Sequence, residues 1–341
     1  MLQNTDESPL PPPMASDGAS LKVLLVVLLL AGVIGALLIQ VHRHQSSVPL
    51  RVLIATSPTP AREILYHELP GIATGLAESR GFALDPAGNL LIVGDQALER
   101  IDTMHGERQI IARFAAKPNC VVLKSGGGYA VGLAGNIALI DQNGVLQESW
   151  LSLGARAVIT ALALGKDGTL WAADAGNREI VGIDRTGAVV HRIGQRDDAR
   201  HIPGLVVPSA YLDVVITADG MLAVTNPGLR QVEYYHPSGD MLSSWGHSAN
   251  DAAGFAGCCN PTNIALLADG RVVTAEKGIP RVKLYSADGL YRGMVAPPES
   301  FHPSAAGLAL AVLNSEVLVL DPTTNMVRVF VPNDLRSVPV Q

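Results

Sequence analysis

Two cysteines stand side by side, Cys258 and Cys259, in the stretch F-A-G-C-C-N-P-T-N of a chain that has only three cysteines. Adjacent thiols suit three kinds of chemistry. They can be two small buried residues, close an eight-membered disulfide ring that holds a tight turn, or offer a thiolate pair to a soft metal such as copper. In an oxidising compartment the expected state is a Cys258–Cys259 disulfide, with Cys120 left as a small buried thiol. Asn260 follows the pair directly. Glu276 and Lys277, further along, are expected to add the polar part of a ligand or partner site beside it.

Other motifs that carry chemistry are missing. The nine histidines (His42, His44, His67, His105, His191, His201, His236, His247 and His302) are scattered. The sequence contains no C-x-x-C, no His pair at helical spacing, no G-x-S-x-G, no P-loop and no Rossmann glycine pattern, so nothing demands a nucleophile. Net charge is -6, and no basic block or aromatic-basic stripe is present, which argues against nucleic acid. Hydrophobic residues make up 48% of the chain and aromatics only 4%, so a large core must be aliphatic.

The elements that would carry these side chains are short strands. From Thr160 to Gly194 the chain shows apolar runs at 160–164, 169–173, 179–184 and 188–193, separated by Asp167-Gly168, by Asp174, Gly176 and Asn177, and by Thr186-Gly187. Period-two runs between such turns predict a four-stranded antiparallel meander. The pattern recurs. A turn glycine or its stand-in closes the first strand at Gly88, Gly128, Gly168, Gly220, Gly270 and Ser315, at intervals of 40, 40, 52, 50 and 45 residues. Self-similarity at this period, without a helical pattern, predicts an all-β propeller of six four-stranded blades.

The stretch D-G-T-L-W-A-A-D-A-G-N-R-E-I, followed by I-D-R-T-G, resembles the NHL repeat, as do D-G-M-L-A-V-T-N-P-G-L-R-Q-V and D-G-R-V-V-T-A-E-K-G-I-P-R-V. The resemblance runs over roughly residues 80–331 and implies a six-bladed NHL-type β-propeller. It does not imply one function, because the family includes scaffolds, receptors and a metal-dependent lyase. In that lyase, histidines project into the channel around a metal. His201, His247 and His302 here lie in loops leading into first strands and could reach the same face. A Ca²⁺ or Zn²⁺ ion therefore stays open as a cofactor, on the enzyme reading alone.

Aligning the repeats on the turn glycine sorts the remaining candidates. Asp174, Asn226, Glu276 and Asp321 fall six residues after it, and Asp95 seven. So regular a polar position reads as structural, holding a turn through side-chain-to-backbone bonds; Glu276-Lys277 is the exception, because E-K-G breaks the D-x-G-N pattern. Arg178, Arg230 and Arg281 recur a few residues later and read the same way. Eight residues before the turn glycine come Arg80, Cys120, Thr160, Leu212, Thr262 and Gly307, which places them near the mouth of the central channel. Arg80 is the candidate there for an anionic ligand or partner, or else pairs with a neighbouring blade's carboxylate.

The start of the chain differs in kind. Residues 1–20 are polar and Pro-rich and read as a disordered tail. Leu21–Val41 is apolar, uncharged from Val23 to Ile39, and long enough as a helix at ~1.5 Å per residue to span a ~30 Å hydrocarbon core. It reads as an uncleaved single-pass signal anchor. Residues 42–49 would be a tether, 50–332 the propeller and 333–341 a tail. Lys22 precedes the apolar run while Arg43 and Arg51 follow it, a count that leans toward a cytoplasmic propeller. The resemblance and the cysteines favour the periplasm or the cell exterior instead. A run at 50–55 or at 63–69 is expected to complete the last blade. The functional expectation is a membrane-anchored propeller that binds a protein partner or small ligand on its loop face. The alternatives are a metal-dependent propeller lyase or lactone hydrolase, and a redox or copper accessory protein. Full-length protein should stay with membranes after a high-salt wash, checked by fractionation; release by salt would show that 21–41 is no anchor.

Overall fold

The computed structural model describes residues 63–147 and 151–333, together with Gly32, which is helical and exposed. The expected tail, tether, early run at 50–55 and, apart from Gly32, the expected span 21–41 lie outside the described residues, as do residues 334–341. Among the described residues no helix is long and apolar enough to cross a membrane.

The described chain is an all-β six-bladed propeller made of six four-stranded sheets. The expected meander is blade three, with strands Ile159–Leu164, Leu170–Asp174, Glu179–Ile183 and Val189–Ile193. In the other blades the innermost strands are Ser79–Leu84, Cys120–Leu123, Val214–Ile216, Asn263–Leu266 and Ala309–Leu313. Each innermost strand packs beside that of the next blade, and the sixth lies against the first. The turn glycines do what their spacing suggests. Gly168 sits at φ +88°, the left-handed region an L side chain adopts only with strain, while Asp167 Oδ1 accepts the Thr169 amide proton at 2.9 Å. Blade six departs from this. Its first two strands meet in a two-residue turn, and Asn314, at φ +55°, takes the left-handed role.

The ring closes with residues from both ends of the fold. Blade six takes its outer strand, Tyr66–Ala73, from before blade one. That strand pairs antiparallel with Met326–Pro332, placing His67 opposite Val331 and Ile72 opposite Val327. Of the two runs expected to close the ring, the later one does so. Arg328 reinforces the seam with two bonds to the Glu68 carboxylate, at 2.7 and 2.5 Å, and the Asn333 amide donates to Leu65 O at 2.9 Å.

Six hydrophobic clusters fill the spaces between neighbouring blades, one at each interface. Blades six and one, for instance, share Leu318, Leu320 and Val327 with Phe82, Leu90 and Ile92. The side chains are mostly Val, Ile, Leu and Ala, as the low aromatic content requires. The interface between blades four and five is the exception. There Trp245, Phe255, Tyr285 and Tyr291 pack ring to ring, with centroids 4.8–6.1 Å apart.

Deleting residues 63–73 should expose Met326–Pro332 as an open edge and lower the thermal midpoint by at least ~10 °C. An unchanged, cooperative melting curve followed by circular dichroism would show that the ring closes without this strand.

Candidate functional site

In four blades the recurring polar residue at the end of the second strand is a staple for the loop leading into the same blade's inner strand; Asp321 in blade six holds Thr323 in its own turn instead. Asp174 Oδ1 accepts the Val158 amide proton at 2.9 Å, Asn226 Oδ1 that of Val206 at 2.9 Å, and Glu276 Oε2 that of Ala256 at 2.9 Å. Asp95 accepts from Ala77 and Glu78 at 2.6 and 2.8 Å. Asp174 also takes the amides of Gly176 and Asn177 in its own turn. The loop passes so close to that turn that a Cβ on Gly176 would run into the Arg156 carbonyl. This architecture fixes the backbone on one face of the ring.

On that face a cavity of about 530 Å³ opens on the axis, lined by residues of all six blades. Of the six aligned channel-mouth positions, Arg80, Thr160, Leu212, Thr262 and Gly307 line it, while Cys120 is buried behind. The lining also includes Lys117, Asn119, Tyr211 and Asn263, which the alignment did not single out. A signal for three of them was present: Asn119, Tyr211 and Asn263 each adjoin a channel-mouth position.

Polar side chains tie the mouth together from blade to blade. Arg80 Nη1 donates to Asn119 Oδ1 at 3.3 Å, and Asn119 Nδ2 donates to Ile159 O at 3.1 Å. Thr160 Oγ1 donates to Leu212 O at 2.6 Å. Asp213 Oδ2 accepts the Ile264 amide proton at 3.0 Å, and Asn325 Oδ1 accepts that of Ser79 at 2.9 Å. Two cations at the rim share one carboxylate: Lys117 Nζ lies 2.5 Å from Glu78 Oε2 and Arg80 Nη2 3.7 Å from it. All three are exposed, so these pairs stabilise little and leave Arg80 and Lys117 available to a ligand. Asn263 Oδ1 is a buried acceptor without a partner. Its Nδ2 faces Asp213 Oδ2 at 3.4 Å, which fixes the amide orientation.

The remaining candidates fall into two groups. Glu276 is wholly buried, with Oε1 at 2.8 Å from Arg281 Nε and 2.7 Å from Lys283 Nζ, so it offers nothing to solvent. Asn260 is buried as well. Its Nδ2 donates to Ala256 O at 2.6 Å and Lys277 O at 3.0 Å, and its Oδ1 accepts the Lys277 amide proton at 2.9 Å. Both residues brace the cysteine loop instead of facing a ligand. Cys258 is exposed and Cys259 buried. Both are free thiols, with the sulfurs 2.9 Å apart. Lys277 joins this cluster to the cavity: its Nζ donates to Ser209 Oγ at 2.9 Å and sits 4.7 Å above the ring of Tyr211.

A divalent metal at the axis does not fit these residues. The cavity lining carries two cations, amides and hydroxyls but no carboxylate or imidazole. Among the described residues no group of three or more His, Cys, Asp or Glu could hold a metal ion.

No family model matches the chain, and no curated protein matches it in sequence. Solved structures do match. Virginiamycin B lyase from Staphylococcus aureus has a TM-score of 0.53 at 11% identity, over 79% of this chain and 99% of its own. A calcium-binding protein, regucalcin, from Agrobacterium tumefaciens has 0.56 at 13%, over 76% and 92%. A putative gluconolactonase has 0.57 at 14%, over 79% and 92%. At such identities the likeness shows the fold alone: a six-bladed propeller.

Asp213 gives the site a pH signature. Burial pushes its carboxyl up to about 6, against the bonds from Ile264, Val214 and Asn263. A folded pKa above the unfolded value of ~3.9 means that the folded state holds the proton more tightly. The stability this group contributes is therefore full below about pH 4 and lost as pH rises through about 6. In unfolding measurements across that window, Asp213→Asn should remove this fall. An identical pH dependence in the variant would show that Asp213 does not titrate there.

Proposed function

We propose that this protein is a non-catalytic binding propeller that takes a small carboxylate-bearing ligand in its axial mouth. The observation that carries the reading is the six-blade cavity with Arg80 and Lys117 at its rim and a partnerless acceptor, Asn263 Oδ1, in its wall. The two cations favour an anion, and Arg80 can receive a carboxylate through two parallel N–H bonds. Asn263 asks for a hydroxyl or amine donor, because a buried acceptor left unpaired costs free energy. Tyr211 offers an apolar face. A small hydroxy acid or amino acid meets all three requirements.

The repeats support membership of the NHL type of propeller, the apolar run at 21–41 supports a single-pass anchor, and the resemblance, not the flanking charges, supports a propeller in the periplasm or outside the cell. Lyase and lactonase readings draw on proteins that share the fold. They would need a carboxylate or imidazole base or a metal-ligand set at the axis, and the described lining has no carboxylate and no imidazole. A cavity of this size suits a small molecule better than a protein loop.

Calorimetric titration with a panel of hydroxy acids and amino acids, and with their uncharged amides, tests the proposal. At least one acid should bind while its amide does not. Arg80→Gln and Lys117→Gln should each weaken that binding by about tenfold, the equivalent of one charge-assisted hydrogen bond at ~1.4 kcal/mol. Equal binding of acid and amide, or no loss in either variant, would overturn the assignment.

A further inference from the structure

The cysteine pair carries an inference that is independent of the axial ligand. Its loop is held at both ends. Ala256 donates its amide to buried Glu276, and Asn260 makes three bonds, to Ala256 O and to both backbone groups of Lys277. Gly257 O accepts from Arg230 Nε at 3.0 Å. The sulfurs therefore sit on a braced turn. One is open to solvent and the other buried, 2.9 Å behind it. Arg230 and Lys277 place positive charge around the exposed sulfur.

The two thiols are chemically unequal. Cys258 is held below the usual thiol range, first by the bond from Cys259 and then by the charges of Lys277 and Arg230. Burial pushes Cys259 up. A stabilised exposed thiolate backed by a protonated buried thiol is the division of labour that exchange chemistry uses. Cys120 provides the contrast. It is buried in blade two, and burial pushes its thiol far above the usual range.

We propose that Cys258 and Cys259 form a thiol–disulfide exchange site for small disulfides, in which Cys258 attacks and Cys259 resolves. In the first step the Cys258 thiolate attacks one sulfur of a disulfide RSSR. A Cys258–SR bond forms, the RS–SR bond breaks, and the departing RS⁻ takes a proton as RSH. In the second step Cys259 gives up its proton and attacks Cys258 Sγ. The Cys258–SR bond breaks and the second RS⁻ leaves, taking up that proton. The protein pair is oxidised by two electrons and RSSR is reduced by two. The sulfurs must close from 2.9 Å to the ~2.05 Å of a disulfide. Adjacent Cα atoms lie only ~3.8 Å apart, below the ~4.4–6.8 Å that disulfides prefer, so the ring is strained and easily reopened by thiols. Strained, exposed disulfides are the labile ones, which makes this a reversible site and not a permanent staple.

The test uses purified full-length protein, first reduced, then exposed to oxidised glutathione at pH 7, quenched with an alkylating agent and mapped by peptide mass spectrometry. Wild-type protein should lose two hydrogens across the 258–259 peptide. Cys259→Ser should instead accumulate a glutathione adduct on Cys258, and Cys258→Ser should leave Cys259 reduced. Cys120 should react at least about tenfold more slowly than Cys258. Four results would overturn the proposal: no adduct in Cys259→Ser, oxidation of the pair that does not depend on Cys258, equal reactivity at Cys120, or no reaction in wild-type protein. A parallel titration with Cu(I) separates the metal-thiolate reading. Tight copper binding that persists in the presence of oxidised glutathione and blocks the exchange would also overturn it.

Discussion

A propeller blade cannot stand alone, because both faces of its sheet are apolar and must be covered by neighbours. Here each interface is filled by its own aliphatic cluster. At the last interface Tyr66–Ala73 pairs with Met326–Pro332 and completes blade six, which packs against blade one. That seam joins segments some 260 residues apart. Closure removes the open edge that would otherwise template pairing with other chains. It also brings all six inner strands to one axis, and the axial cavity depends on that meeting.

Polar residues at the axis do structural work that determines which of them remain free for a ligand. Asn119, Thr160, Asp213 and Asn325 form bonds between neighbouring blades. Arg80 contributes one such bond and keeps the rest of its guanidinium at the rim. Asn263 keeps a whole acceptor free. The same division holds at the cysteine loop. Glu276 and Asn260 are buried braces, while Cys258 and Lys277 remain able to meet other molecules. Glu276 is a costly brace to lose. Arg281 and Lys283 are buried with it, and breaking such a buried pair costs about 3–5 kcal/mol. Burial already pulls the Lys283 amine down to about 8 despite that carboxylate.

The sequence by itself determined the repeat. Turn glycines, aspartates three residues ahead of the next strand, and alternating aliphatic runs are local features, governed by backbone φ and by a side-chain period of two. They placed the blade-three strands to within a residue and lined up five of the residues that meet at the axis. They also marked the recurring Asp174 and Asn226 position as structural, because a feature that repeats with the blades belongs to the blades; Glu276, set apart as a ligand residue, is a buried brace of the same kind.

Only the tertiary structure decided burial, pairing and direction. Glu276 and Lys277 are neighbours in sequence, yet one is buried against Arg281 and Lys283 and the other reaches Tyr211 on the cavity wall. Glu276 ends its strand while Lys277 opens the turn that follows, and their partners come from other segments of the chain. Lys117 carries no repeat signature, and Tyr211 and Asn263 only adjoin a channel-mouth position, so their convergence with Arg80 becomes visible only when the ring closes. The choice of Tyr66–Ala73 as closing strand, and the difference between the exposed Cys258 and the buried Cys259, have the same origin. Each depends on contacts between segments far apart in the chain, which local spacing does not encode.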